Sequence, residues 1–162
     1  MRIRPYLQLA RRNAATNLGR PSFPYKLTFS LTNRCNYRCR TCGIWRKKAV
    51  GELTLEEIRT FFRKNRAFSW VHLTGGEIFL RPDIVEIAAV IVGQSPDFLL
   101  LNFPTDGYLT DRIVASVRSI AALRPGRLFI TVSTDGDEAV NDDIRGVKGG
   151  WRRQLETFRQ LR

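Results

Sequence analysis

Hydrophobic positions recur along this chain with two alternating periods. YKLTFSLT (residues 25–32) alternates apolar and polar residues, the period of a strand with one buried face. SWVHLT (69–74), FLLLNF (98–103) and RLFITVST (127–134) read as three more strands. Between them the spacing becomes helical. Thr54 followed by Glu57 is a capping-box signature and opens a helix through about Asn65. Pro82 starts another through about Val92. Leu109, Ile113, Val117 and Ile120 mark a helix over 109–123, and WRRQLETFRQL (151–161) a further one. Ahead of the first strand, Tyr6, Leu7, Ala10, Ala14 and Leu18 share helical spacing behind Pro5, and Gly19-Arg20-Pro21 breaks that helix.

Strand followed by helix, four times over, predicts an α/β fold of parallel strands with crossover helices. Such a rhythm builds an open doubly wound sheet or part of a barrel, and in both the loops after the strands share one rim. Those loops carry the unusual residues: three cysteines after the first strand, Gly75-Gly76-Glu77 after the second, PTDG after the third and TDGD after the fourth. The rest of the last loop, to about residue 150, reads as polar and Asp/Gly-rich without regular structure. The expected organisation is a basic helix and linker over 1–24 and a core over 25–162, without internal repeats.

Charge changes this picture at one end. Residues 1–51 hold no Asp or Glu and twelve of the 27 Lys and Arg; the remaining 15 basic residues meet all 15 acidic ones, so the net +12 belongs to the first segment. That segment contains every cysteine. A basic face fits a solvated surface, charge compensation for an anionic group, or nucleic-acid binding with Tyr25, Tyr37 and Trp45 as stacking groups. Residues 5–18 read as a helix packed on the body or as a basic membrane-surface helix. No apolar run approaches the about 18 residues of a spanning helix, and MRIRPYLQLARRN lacks a secretory apolar region. A cytoplasmic location is therefore expected, and with it reduced cysteines rather than disulfides.

The eight residues CNYRCRTC place Cys35, Cys39 and Cys42 in one loop. Clustering of that kind points to a shared ligand. A closed zinc site wants four protein ligands, and the single histidine, His72, lies in the second predicted strand, where a hydrogen-bonded packing role is the ordinary one. An iron–sulfur cluster held by three thiolates leaves one iron open for a non-protein ligand.

Here a resemblance enters. CNYRCRTC is similar to the CxxxCxxC loop of the radical S-adenosylmethionine (radical SAM) superfamily, in the place where that family carries it. LTGGE resembles its GGE motif, TDGYL its TNG stretch, and VSTDG with DDIRG the fourth-strand segment of members that modify peptides and small molecules. The resemblance implies a partial (β/α) barrel of about four strand–helix units with an N-terminal helix, lacking the family's last two units. It implies that Cys35, Cys39 and Cys42 ligate a [4Fe–4S] cluster whose fourth iron binds SAM. Gly75, Gly76 and Glu77 would meet the SAM amino group, and Thr105, Ser133 and Asp135 would lie near its ribose or methionine end.

The implied chemistry is reductive cleavage of SAM to a 5′-deoxyadenosyl radical that abstracts a substrate hydrogen. The implied partners are SAM, an electron donor such as flavodoxin or ferredoxin and a substrate (small molecule or peptide, or RNA). For the missing units three options stand open: a second chain that completes the barrel, a longer protein of which this is a fragment, or a truncated reading frame. Arg34, Arg38, Arg40 and Arg46 would offset the cluster's negative charge. Three positions depart from the family pattern: Thr41 replaces an aromatic residue before the third cysteine, Ile78 a proline after GGE, and Asp106 the asparagine of TNG. The alternatives are a truncated, non-catalytic iron–sulfur protein and a basic zinc or nucleic-acid-binding module.

Overall fold

The computed structural model describes residues 3–20 and 23–162. Pro21, in the expected helix break, lies outside them. Four strands form one sheet: β1 (Lys26–Ser30), β2 (Trp70–Thr74), β3 (Leu100–Thr105) and β4 (Arg127–Val132). All neighbours pair in parallel, in the spatial order β1-β2-β3-β4. Six α-helices accompany them: α1 (Arg4–Asn17), α2 (Leu55–Lys64), α3 (Ile84–Gly93), α4 (Thr110–Ala122), α5 (Glu138–Arg145) and α6 (Gly150–Leu161). A doubly wound sheet reverses its strand order partway across. This one steps in a single direction, as a barrel wall does, so the sequence's two options reduce to the partial barrel.

The core follows from strand alternation. Val71 and Leu73 on β2, with Leu101 and Phe103 on β3, point to the helical side and are fully buried. They meet Ile58 and Phe62 of α2, Ile87 and Ile91 of α3, and Ile113 and Ile120 of α4. The other face carries Thr28, His72, Asn102 and Phe129 in one register row. Burial of the helical face supplies the main stabilisation, each large side chain contributing about 1.5–3 kcal/mol. The expected capping box holds: Glu57 N–H donates to Thr54 Oγ1, and Thr54 N–H donates back to Glu57 Oε2 at 2.8 Å.

Three expectations are corrected. The third strand runs over 100–105 rather than 98–103, because Phe98 and Leu99 still belong to the entering turn, where their N–H groups donate to Ser95 and Ser69. Pro104 is tolerated because it falls past His72↔Asn102, the last β2–β3 pair. The face that α1 turns to the body is Pro5, Tyr6, Leu9 and Arg12, with Leu7 and Leu18 exposed; the Tyr6 hydroxyl accepts from Arg127 Nε–H at 2.8 Å, and the Arg12 guanidinium donates to the carbonyl of Ala67. The supposed loop after β4 contains α5, capped by Asp137, whose Oδ1 accepts from Val140 N–H, and stopped by Gly146 in the left-handed conformation.

Candidate cofactor site

The rim loops meet at the carboxyl ends of the strands. A cavity of about 250 Å³ there is lined by Cys35, Cys39 and Cys42, by Gly75 and Gly76, by Thr105 and Asp106, and by Ser133, Asp135 and Arg145. Of the nine residues singled out in the sequence, eight line this space; Glu77 does not. The three cysteines are free thiols. Among the described residues, no three His, Cys, Asp or Glu side chains gather around a single ion. Burial pushes the Cys35 thiol up to about 11 and raises Cys39 as well. Loading with metal therefore releases protons.

The cysteine loop is held from two sides. On one side stand the glycines of the second loop. Gly76 N–H donates to Thr32 O at 2.7 Å and Glu77 N–H to Arg34 O at 2.8 Å. A Cβ on Gly76 would lie 1.9 Å from the Arg34 carbonyl oxygen, and one on Gly75 2.4 Å from that of Thr32. The glycines thus let two loop backbones touch. On the other side stands the end of α5: Arg38 N–H donates to Arg145 O at 3.1 Å and Arg40 N–H to Ile144 O at 2.8 Å. Tyr37, in the middle of the loop, is 1% exposed, and its hydroxyl accepts from Gln154 of α6 at 3.3 Å.

The Glu77 carboxylate is buried as a strut between loops. It accepts from Phe79 N–H at 3.1 Å, from the Thr105 hydroxyl at 2.9 Å and from Asp106 N–H at 2.6 Å. Burial, with Asp106 beside it, pushes its pKa up to about 8. Asp106, unlike Glu77, lines the cavity, as does Asp135. Burial raises the Asp106 pKa too; its Oδ1 accepts from Tyr108 N–H at 2.9 Å, while its Oδ2, beside Asn36 and Glu77, is buried with no hydrogen bond of good geometry. An orphaned buried acceptor at the wall of a cavity fits a cationic ligand group.

The arginines divide unexpectedly. Arg34 pairs with Glu52 at 3.7 Å and Arg40 with Asp143. Neither these nor Arg38 and Arg46 line the cavity. Among the described residues its lining cation is Arg145, which lay in the DDIRG segment of the sequence but was given no role there. Arg145 Nε lies 2.7 Å from Asp135 Oδ2, an ion pair whose N–H is not aimed along a hydrogen bond, and its guanidinium is 6.0 Å from the Tyr37 ring. His72 lies off the cavity. Trp70 Nε1–H donates to Asn102 Oδ1 at 2.6 Å, and the Asn102 amide meets His72 Nδ1 at 2.7 Å. The histidine is thereby committed to the inner sheet face rather than to the cysteines.

Three thiols, two glycines, the carboxylates of Asp106 and Asp135 and the guanidinium of Arg145 thus meet in one cavity on the rim of a singly wound parallel sheet. The family model described as the Radical SAM superfamily matches residues 29–162. The chain belongs to this superfamily, whose cofactors are a [4Fe–4S] cluster and SAM. It is 28% identical to the antilisterial bacteriocin subtilosin biosynthesis protein AlbA of Bacillus subtilis, over 94% of this chain and 34% of that protein. It is 38% identical to a GTP 3′,8-cyclase of Pectobacterium atrosepticum, over 71% of this chain and 35% of the cyclase. An AdoMet-dependent heme synthase of Methanosarcina barkeri is 31% identical over 86% of this chain and 39% of the synthase.

Among solved structures, Streptococcus suis SuiB bound to S-adenosylmethionine superposes with a TM-score of 0.68 at 17% identity, over 93% of this chain and 35% of SuiB. That likeness shows the fold. The chain spans between a third and two fifths of the length of these proteins. Among the described residues, no helix is long and apolar enough to cross a membrane.

Proposed function

We propose that this chain is the cofactor-holding part of a radical SAM enzyme. Cys35, Cys39 and Cys42 hold a [4Fe–4S] cluster, one iron each. Asp106 faces the SAM ammonium, and Glu77 sets Asp106 and Thr105 in place from behind. Gly75 and Gly76 close the wall beneath, while Ser133 and Asp135 line the ribose and methionine side. Arg145 offers the cavity's positive charge to the SAM carboxylate. When bound and reduced, the cluster supplies the electron that splits SAM into methionine and a 5′-deoxyadenosyl radical. The protein's own part is to orient SAM and exclude water.

The substrate is a small molecule or a peptide. The supporting relatives are named for GTP cyclisation, heme synthesis and bacteriocin biosynthesis. Further strand–helix units, in the same polypeptide or a partner chain, add along β4. That strand is an edge of the sheet, and its Phe129 is 59% exposed on the inner face.

The observation that carries this reading is one unpartnered oxygen, Asp106 Oδ2, in the wall of the cavity that three free thiols also line. Anaerobic reconstitution with iron and sulfide tests it. About four irons per chain are expected, with loss of the brown chromophore in Cys35→Ala, Cys39→Ala or Cys42→Ala. Stoichiometric zinc without iron would overturn it.

A further inference from the structure

The inner face of the sheet holds a hydrogen-bonded chain that the cofactor site does not use. Trp70, His72 and Asn102 all point to that face, away from the helices. Trp70 Nε1–H donates to Asn102 Oδ1 at 2.6 Å, and an indole nitrogen can only donate. The Asn102 carboxamide is thereby fixed one way round, with its NH2 group toward His72 Nδ1 at 2.7 Å. An amide NH2 also only donates. Nδ1 is therefore the acceptor, and the proton of the neutral imidazole sits on Nε2. Nε2 has no hydrogen-bond partner among the described residues and is not buried. The Trp70–Asn102–His72 relay thus leaves one oriented N–H open on the inner face.

This N–H stands next to the cofactor cavity. Pro104, which lines the cavity, lies two residues beyond Asn102 on the same strand and face, about 7 Å along it. A substrate attacked from the cavity rests on this wall. The wall carries Lys26 and Arg127 but no Asp or Glu. Lys26 Nζ lies 4.0 Å over the Trp70 ring and has no ion-pair partner among the described residues. Thr28 is the register partner of His72. We propose that this wall selects a carboxylate-bearing substrate: His72 Nε2–H and the Thr28 hydroxyl bind the acid's oxygens, Lys26 supplies the countercharge, and Asn102 holds the imidazole in its donor tautomer. The inference names the substrate class of the proposed radical SAM site and rests on that reading. One cation with two neutral donors matches a single negative charge. A phosphate dianion asks for a second cation or a bidentate guanidinium. The other cation of this face, Arg127, stands three strands away, about 14 Å.

His72 is the single histidine of the chain, so its ring nitrogens report the site without ambiguity. Long-range 1H–15N NMR spectra of the metal-free full chain, at about pH 7.5 where an ordinary histidine is neutral, are expected to show a proton on Nε2 and a hydrogen-bonded Nδ1. Asn102→Leu is expected to lose the Nδ1 bond. Two probes present the carboxylate from its two sources, N-acetylglycine as a small acid and a capped tripeptide with a central glutamate. At matched ionic strength at least one is expected to move the Nε2 signal saturably, and the tighter of the two identifies the source. The glutamine tripeptide and inorganic phosphate are expected to bind about tenfold more weakly or less. Lys26→Gln is expected to weaken binding of the acid about three- to tenfold. Arg127→Gln, the same change of charge beyond a screening length of about 8 Å, is expected to leave it within about twofold. Read by the Thr28 amide signal, His72→Gln keeps part of the affinity and His72→Leu loses it. A proton on Nδ1 in the wild type would overturn the proposal. So would equal binding of the glutamine peptide or phosphate, equal losses in Lys26→Gln and Arg127→Gln, or a His72 signal that no probe moves. The titration needs no iron. Failure to load a cluster sinks the cofactor reading and leaves this readout standing, whereas full loading with an unmoved His72 sinks this inference alone.

Discussion

The glycine at position 76 offers a sharp test of how the site is built. Gly76→Ala places a methyl group 1.9 Å from the Arg34 carbonyl oxygen, 2.6 Å from its carbon and 3.0 Å from Cys35 Cβ. Two of these three atoms are backbone, so no side-chain rotation relieves the contact. The second loop must withdraw from the cysteine loop. Overpacking of this kind costs about 1–3 kcal/mol. Withdrawal also weakens the bonds from Gly76 N–H to Thr32 O and from Glu77 N–H to Arg34 O, each worth about 1 kcal/mol. If both bonds are lost the sum is about 3–5 kcal/mol, or a Tm lower by roughly 6–20 °C for a chain of this size. Urea unfolding of the metal-free protein measures it, and iron per chain after reconstitution measures the displacement of Cys35. If glycine serves only to admit SAM, the metal-free variant keeps wild-type stability and a full complement of iron. That result would refute the loop-packing reasoning.

Other consequences follow from the same contacts. The folded-state pKa of Glu77 is raised above its unfolded value, to about 8. The metal-free protein is therefore expected to lose stability as pH rises from about 4.5 through 8, by on the order of a few kcal/mol. Glu77→Gln should flatten that slope, and a flat wild-type profile would contradict the assignment. Asp142 Oδ1 accepts from Trp151 N–H at 2.9 Å, and its other oxygen accepts from Gly149 N–H. Asp142→Ala is expected to cost about 1–3 kcal/mol in urea unfolding by leaving these donors unpaired. Arg145→Met removes the cavity's cation and is expected to weaken SAM binding to the loaded protein by about tenfold or more, read by calorimetry. Arg145→Lys should recover part of the loss, whereas equal affinity in all three would place the SAM carboxylate elsewhere.

Periodicity made the four strands and the helices between them legible, because each strand hides every second residue from water. It failed where burial is slight. Only Asn141 of α5 is buried, so the helix shows no apolar stripe, although Asp137 and the Arg145-Gly146 stop were signals at its ends. The same failure left Arg145, visible in the DDIRG segment, without a role. On α1 the apolar residues were visible, but of the expected stripe Tyr6 meets the body while Leu7 and Leu18 do not, and Pro5, Leu9 and Arg12 complete the contact. The cysteines and glycines were legible as types at a spacing. What the glycines touch was not, because Gly76 meets Arg34 across 42 positions of chain. The roles of Glu77 and Asp106 likewise needed three dimensions: adjacent rim loops make one carboxylate a buried strut and leave the other facing the cavity.

The central claim is a cluster with one open iron beside Asp106 and Arg145. EPR of the reconstituted, dithionite-reduced chain, recorded with and without SAM, tests it most directly. The account predicts a reduced [4Fe–4S] signal that changes when SAM is added to wild type and changes little in Asp106→Ala. A signal indifferent to SAM in the wild type, or no signal at all, would contradict it.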